Sequence, residues 1–339
     1  MPQTSHSTDV VIIGAGPVGL FAIFECGMLR IKCHVVDALE TAGGQCAALY
    51  PEKPIYDIPG YPVIEAQELI TKLADQAAPF HPVFHLGQTV ETLTRADGGF
   101  TAETSKGTKI SCKAVIIAAG VGAFGPNRPP IPGLEDFEGK SVFYLVKRRE
   151  DFKGKRVVIA GGGDSAVDWA LSLAEVAAKV SLAHRRAKFR AAPESVAKLE
   201  QLAAAGKIDL VVPFQPAALE GENGQLRAIV LRSPAGEEKR IEADVLLPFF
   251  GLAMSLGPIA EWGLNLERNH IAVDPVSCAT NVPGIFAVGD IATYPGKLKL
   301  ILSGFAETAL AAHAIYPLVH PDRELHFEYS TTTGVPELT

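Results

Sequence analysis

The sequence predicts an α/β protein built from two Rossmann-like three-layer (ββα) dinucleotide-binding domains, the first of them discontinuous in the chain. Val10-Val11-Ile12-Ile13 is a β-branched run that leads straight into the glycine turn Gly14-Ala15-Gly16-Pro17-Val18-Gly19, and a helical pattern follows. The same order of strand, glycine turn and helix recurs from Arg156 through Gly161-Gly162-Gly163-Asp164-Ser165-Ala166. Between the copies, residues 121–140 are rich in Gly and Pro, the composition of a linker.

Each glycine of the first turn has a separate duty. Gly14 permits the tight turn, Gly16 lets the backbone approach a pyrophosphate, and Gly19 lets the helix pack on the strand. Pro17 stands in the opening turn of the helix, where its missing N–H costs nothing. The helix N-terminus offers free N–H groups to phosphates. Asp37 closes the next apolar run, where an acid accepts a ribose 2′-OH. The second turn keeps Gly161 and Gly163, with Asp164 and Ser165 opening its helix and Ala166 in the third place. Where the first copy has Asp37, the second has His184-Arg185-Arg186, with Arg190 close behind. Guanidinium groups suit a 2′-phosphate through bidentate hydrogen bonds, so this copy reads as an NADP(H) site.

The elements follow in order. A helix is expected over 17–30 and a second strand over 31–36. Residues 38–62 read as a long loop with Gly43-Gly44-Gln45, the kind of loop that serves a site. Leu69, Ile70 and Leu73 space a helix over 65–78. Short alternating strands are expected over 82–110, turning at Asp97-Gly98-Gly99, and a buried strand over 114–120. After the linker come a strand over 156–160, a helix over 166–178 and a strand over 180–183. A meander over 208–241 and an apolar strand over 243–251 complete the second copy. One more apolar strand then ends in Gly289-Asp290, followed by an alanine-rich helix over 303–315 and a polar tail over 327–339. An acid at that strand end can accept a ribityl or ribose hydroxyl, which favours FAD in the first domain, with the nicotinamide nucleotide at the arginine-rich second turn. The expected domains are 1–120 with 251–339 for FAD, and 121–250 for NADPH.

Composition narrows the function classes. The net charge of −7 argues against general nucleic-acid binding. Five scattered cysteines without a C-x-x-C pair fit reduced thiols in a cytoplasmic protein. No apolar run reaches the ~18 residues of a membrane helix. His81 and His85 have no third ligand near them, so no metal is expected. Cys46, beside the Gly-Gly-Gln loop, reads as a small buried filler. Lys140, Lys147, Arg148, Arg149, Lys153, Lys155 and Arg156, with Lys297 and Lys299, form either a docking face for an acidic partner or a solvated hinge.

Taken together, the two glycine turns, Gly43-Gly44-Gln45, His184-Arg185-Arg186 and the run from Thr280 to Asp290 resemble the thioredoxin reductase-like flavoproteins over nearly the whole chain. Within them the sequence is most similar to the ferredoxin–NADP+ reductases of thioredoxin-reductase type. It departs from thioredoxin reductase itself at 141–155, where that enzyme carries a C-x-x-C pair and this chain has no cysteine. The resemblance implies that Tyr50 stacks on one face of the flavin and that Gln45, Val90 and Phe124 are further FAD contacts. It places Asp290 on the ribityl side. It implies a homodimer in which the tail crosses over, with Tyr329 covering the opposite flavin and Thr331 touching it; the alternative is a free terminus. The implied activity is hydride transfer from NADPH to flavin N5, then single-electron transfer to a ferredoxin or flavodoxin. A quinone or small-molecule acceptor, or a flavin sensor without turnover, remains the alternative.

Overall fold

A computed structural model describes residues 4–326 and 329–336. The chain divides into two compact units, Met1–Phe124 with Met254–Thr339, and Gly125–Ala253.

The first unit is organised on a five-stranded parallel sheet. Its strand order is Ile285–Ala287, Ala114–Ile117, Val10–Ile13, Cys33–Asp37, Val83–Leu86. Successive side chains of a strand point to opposite faces. Val10 and Ile12 therefore pack with Leu20, Leu69 and Ala311 of the helices Pro17–Met28, Ala66–Ala77 and Ile301–Val319. Val11 and Ile13 pack the other way, with Phe100 and Ile110 of a second sheet. That sheet runs Ser5–Ser7, Lys109–Cys112, Gly99–Thr104, Val90–Ala96. All four residues of Val10–Ile13 are buried, as a strand covered on both faces requires.

The second unit repeats the plan. Its parallel sheet runs Ile208–Val211, Lys179–Ala183, Arg156–Ala160, Val245–Pro248. A three-stranded meander, Gln215–Glu222, Gln225–Arg232 and Glu238–Glu242, packs Leu226, Ile229 and Leu231 against Val158 and Leu246. Helices Asp164–Leu173 and Pro193–Ala204 pack on each other.

Several elements differ from expectation. Val83–Leu86 and Ile208–Val211 belong to the parallel sheets, where each forms the edge strand, rather than to the meanders. The helix Pro193–Ala204 lies outside the sequence expectation; its inward face is Val196, Leu199, Leu202 and Ala203, of which only Leu199 is buried. The last long helix, Ile301–Val319, runs past Pro317 and is longer than its alanine-rich middle suggests. The loop over 38–62 contains a short helix, Gly44–Ala48.

Three histidines meet beside the edge of the first sheet. The rings of His6, His34 and His85 lie 5.0–5.4 Å apart, and His34 Nδ1 shares a hydrogen bond of 3.0 Å with His85 Nε2. His85 thus pairs with His34, and among the described residues no group of His, Cys, Asp or Glu is arranged to hold a metal. Burial, then the neighbouring His85 and His6, push His34 down to about 4. The unfolded chain therefore binds the His34 proton before the folded one does, and stability falls as pH drops from about 6.5 toward 4. Replacing His34 with Gln should flatten that part of the acid limb in urea-unfolding curves measured at successive pH values. An unchanged slope would show that the cluster does not carry it.

Candidate functional site

The first unit encloses a cavity of about 310 Å³ at the C-terminal ends of its parallel strands. Its walls bring together Gly14, Gly16, Pro17, Asp37, Gln45, Tyr50, Val90 and Asp290. The glycine turn is held from three sides. Gly14 donates its N–H to the Val36 carbonyl at 2.8 Å, and Gly43 donates to the Ala15 carbonyl at 2.8 Å. Asp37 Oδ2 accepts from Ala15 N–H at 2.6 Å, and its Oδ1 from Leu39 N–H at 2.8 Å. Each carboxylate oxygen keeps a further lone pair for a ribose hydroxyl. Burial raises the Asp37 carboxyl above its ordinary range, and the two N–H donors oppose that rise.

The glycines separate by what they meet. A Cβ on Gly14, whose φ is +107°, would stand 2.4 Å from the Ala118 carbonyl oxygen, and one on Gly19 1.9 Å from the Gly14 oxygen. These two are demanded by the chain itself. Gly16 has ordinary extended backbone, φ −71° and ψ −177°, and its Cβ would meet only Gly44 Cα at 3.9 Å. Nothing in the protein forbids a side chain there, so the open space beside Gly16 fits a pyrophosphate against the backbone. In this respect the residues present fit a dinucleotide.

Tyr50 is partly buried on the cavity wall, with Cys46 Sγ 4.0 Å from its hydroxyl. Burial pushes the Tyr50 phenol up and the Cys46 thiol up to about 11, so both stay protonated at neutral pH. Val90 is buried at the same wall. Phe124 falls in the strand Ala123–Pro126, and its side chain lies outside the described residues. Tyr329 and Thr331 are exposed, Tyr329 just before the helical turn Ser330–Thr333 that contains Thr331.

Lys297 departs from the sequence reading. The sequence sets it in a solvent-facing basic run, docking face or hinge, but its side chain is buried and pairs with Glu307 on the helix Ile301–Val319. Glu307 also accepts from Tyr294 Oη at 2.7 Å and from Gly289 N–H at 2.7 Å. A helix residue thereby fixes the turn that carries Asp290. Glu307 escaped the sequence reading because a lone acid in an alanine-rich helix looks like a solvated one. The basic run also carries its own partners. Arg156 binds Asp244 and Glu242, Arg149 binds Glu175, and Arg148 binds Asp151.

The second unit has its own glycine turn. A Cβ on Gly161 would stand 2.5 Å from the Phe249 oxygen, whereas Gly163 has nothing within 4 Å. The loop after Lys179–Ala183 is tied to this turn at two points. Arg190 N–H donates to the Gly162 carbonyl at 2.7 Å, and Ala192 N–H donates to Asp164 Oδ1 at 2.9 Å. These bonds hold exposed Arg185, Arg186 and Arg190 on the loop beside the turn. Ser165 follows Asp164 in the first turn of the helix. His184 differs from its arginine neighbours: its ring is buried beneath Gly162, where a Cβ would approach it to 2.2 Å. Gly162 was not singled out from the sequence, and this contact is its reason for being glycine.

The family model for pyridine nucleotide-disulphide oxidoreductases matches residues 8–314. A protein named ferredoxin–NADP reductase from Paramagnetospirillum magneticum is 65% identical, covering 99% of this chain and 100% of its own length. Another of that name from Rhodospirillum rubrum is 62% identical, covering 98% of each. Among solved structures, the thioredoxin reductase of T. acidophilum superposes with a TM-score of 0.80 at 28% identity, covering 92% of this chain and 98% of that one. The thioredoxin reductase of Lactococcus lactis gives 0.79 at 26%, covering 93% and 99%.

The two glycine classes predict opposite phenotypes. Gly163→Ala should leave the thermal unfolding of the protein nearly unchanged and weaken NADP+ binding by about tenfold or more, because the methyl occupies ligand space. Gly161→Ala should lower the unfolding temperature, because its methyl meets backbone. Thermal melts beside nucleotide titrations of both variants separate the two effects.

Proposed function

The chain belongs to the pyridine nucleotide-disulphide oxidoreductase family, and on that footing we propose that it is an FAD-dependent ferredoxin–NADP reductase. The observation that carries this reading is the pairing of one acid-terminated and one arginine-rich glycine turn in a chain without a C-x-x-C pair. FAD belongs to the cavity of the first unit, and NADP(H) to the turn of the second. The five cysteines are buried and free, and none stands within 141–155. Electrons therefore leave from the flavin itself rather than through a disulfide relay. FAD, when bound, accepts a hydride from NADPH and passes electrons on singly.

The chain's residues bind and orient. Gly16 and the N-terminus of Pro17–Met28 take the pyrophosphate, and Asp37 takes the ribose. Asp290 meets the ribityl side, held there through Gly289 and Glu307. Gln45 and Val90 line the flavin pocket, and Phe124 makes a further FAD contact. Tyr50 presents its ring to one flavin face and, being held protonated, keeps a negative charge away from it. Arg185, Arg186 and Arg190 take the 2′-phosphate, with Gly161, Gly163, Asp164 and Ser165 shaping the turn around the nucleotide. Tyr329 and Thr331 cover the opposite flavin face in a homodimer. Exposed Leu302, Leu310 and Leu318 on Ile301–Val319 support such an association. Exposed Lys147 and Lys153 offer positive charge to an acidic ferredoxin or flavodoxin. Among the described residues no helix is long and apolar enough to cross a membrane. The buried free thiols accord with a reducing, cytoplasmic setting.

Stopped-flow mixing of the prereduced protein with oxidised ferredoxin, a quinone or dioxygen tests the acceptor. Ferredoxin should reoxidise the flavin fastest; if it reacts no faster than quinone or dioxygen, the acceptor is a small molecule. Arg185→Ala and Arg186→Ala should each lower kcat/KM for NADPH by about tenfold to a hundredfold, as expected for lost charge-assisted hydrogen bonds. Steady-state rates with NADH should change little. Equal losses with both nucleotides would remove these arginines from the 2′-phosphate site.

A further inference from the structure

We propose that His184 makes nucleotide selection proton-linked: its buried Nε2 takes up a proton from solvent when a 2′-phosphorylated nucleotide docks on Arg185, Arg186 and Arg190, and stays bare when the ligand lacks that phosphate. The inference rests on reading the second glycine turn as an NADP(H) site.

The geometry singles this histidine out. His184 closes the strand Lys179–Ala183 and is only 9% exposed, directly ahead of three exposed arginines. Its ring is boxed by Gly162 on one side and stacks on Phe189 on the other, with centroids 5.4 Å apart and planes 28° apart. One ring nitrogen bonds to the Lys188 backbone, while Nε2 is buried and has no hydrogen-bond partner. A buried acceptor without a donor is costly to maintain and is poised to change state when the local charge changes.

The surrounding charges decide the direction. Burial, then the fields of Arg190, Arg185 and Arg186, hold His184 below its ordinary value, and the Lys188 bond opposes them. The carboxylates on the packed elements are committed elsewhere. Asp209 on Ile208–Val211 pairs with Lys179 at 2.7 Å. On the helix Asp164–Leu173, Asp164 accepts from Ala192 N–H and Asp168 from Ser195 Oγ. With no nucleotide bound, the ring is therefore neutral at pH 7. A phosphate dianion brought onto the arginines offsets their field, and an opposite charge nearby favours the protonated ring. Affinity for the phosphorylated nucleotide then falls as pH rises through the value of the bound state, by at most about tenfold per pH unit for one linked proton. Affinity for an unphosphorylated nucleotide does not share this dependence. The phosphate's own second ionisation, near 6 in solution, is pulled down by the arginines and releases protons, the opposite sign.

Calorimetric titration of the FAD-loaded protein at pH 7, in two buffers of different ionisation enthalpy, counts the protons. NADP+ binding to the native protein should take up more proton than binding to His184→Asn, and NAD+ should show no difference between the two. From pH 6.5 to 8 the NADP+ to NAD+ affinity ratio should decline in the native protein and rise slightly or stay level in the variant. Identical proton counts overturn the proposal while leaving the NADP(H) assignment intact. NADP+ binding no tighter than NAD+ sinks the assignment and the proposal together. Should the variant fail to fold, the native protein decides alone at pH 7.5, where the free 2′-phosphate is already almost fully ionised and releases almost nothing: uptake with NADP+ only supports the linkage, and no uptake overturns it.

Discussion

The contact between the helix Pro17–Met28 and the turn at Gly14 is the constraint on which the first unit depends. A Cβ on Gly19 would sit 1.9 Å from the Gly14 oxygen, and one on Gly14 2.4 Å from the Ala118 oxygen. Strand, helix and the neighbouring strand thus converge at one point with no room for a side chain. That convergence leaves the helix N-terminus open at the strand ends, where an anion meets both the free N–H groups and the dipole. The remaining bonds of the site are arranged around the turn: Gly14 to Val36, Gly43 to Ala15, and both oxygens of Asp37 to backbone N–H groups. The second unit solves the same problem with Gly161 against the Phe249 oxygen and with Ala166 in the third place.

Each turn also contains a glycine that the fold does not require. Gly16 and Gly163 have ordinary extended backbone and open surroundings. A folding constraint cannot account for them, while a ligand that must touch the backbone can. What differs between the copies is the charge set beside that open space. In the first, a carboxylate already braced by two N–H groups stands on the cavity wall. In the second, three arginines sit on a loop fastened to the turn by Arg190 N–H and Asp164. On the proposed reading, one backbone solution serves two nucleotides, and the strand-end residues choose between them.

The parallel sheets were legible because doubly covered strands are continuous β-branched runs, as in Val10–Ile13 and Arg156–Ala160. Edge strands were not. Val83 and Phe84 are both exposed on Val83–Leu86 and His85 interrupts its apolar residues, so that strand lacks the continuous buried run that marks a central one. Helix Pro193–Ala204 buries only Leu199 fully, although Val196, Leu199, Leu202 and Ala203 keep a helical spacing that the sequence does carry. Of the site, the residues set by local spacing could be read: both glycine turns, Asp37 and the arginine cluster. Residues set by tertiary meeting could not. His184 looks like a fourth phosphate ligand until Gly162 is seen packed on its ring, and Lys297 looks solvent-facing until Glu307 is found opposite it.

The Lys297–Glu307 pair shows why such residues matter despite contributing little to stability. Burying two charges costs about as much as their attraction returns unless the other lone pairs are satisfied. Here they are satisfied: Glu307 also accepts from the Tyr294 hydroxyl and from Gly289 N–H. Burial and Glu307 together push the Tyr294 phenol up, so it remains a donor at any working pH. The last of these donors is the backbone of the turn that carries Asp290, at the rim of the cavity. Gly289 itself has φ +75°, a conformation that costs a glycine little but leaves the turn free to relax. The buried carboxylate removes that freedom. Losing either charged partner would strand the other in the interior, so the pair tolerates one arrangement only, and the position of Asp290 follows from it.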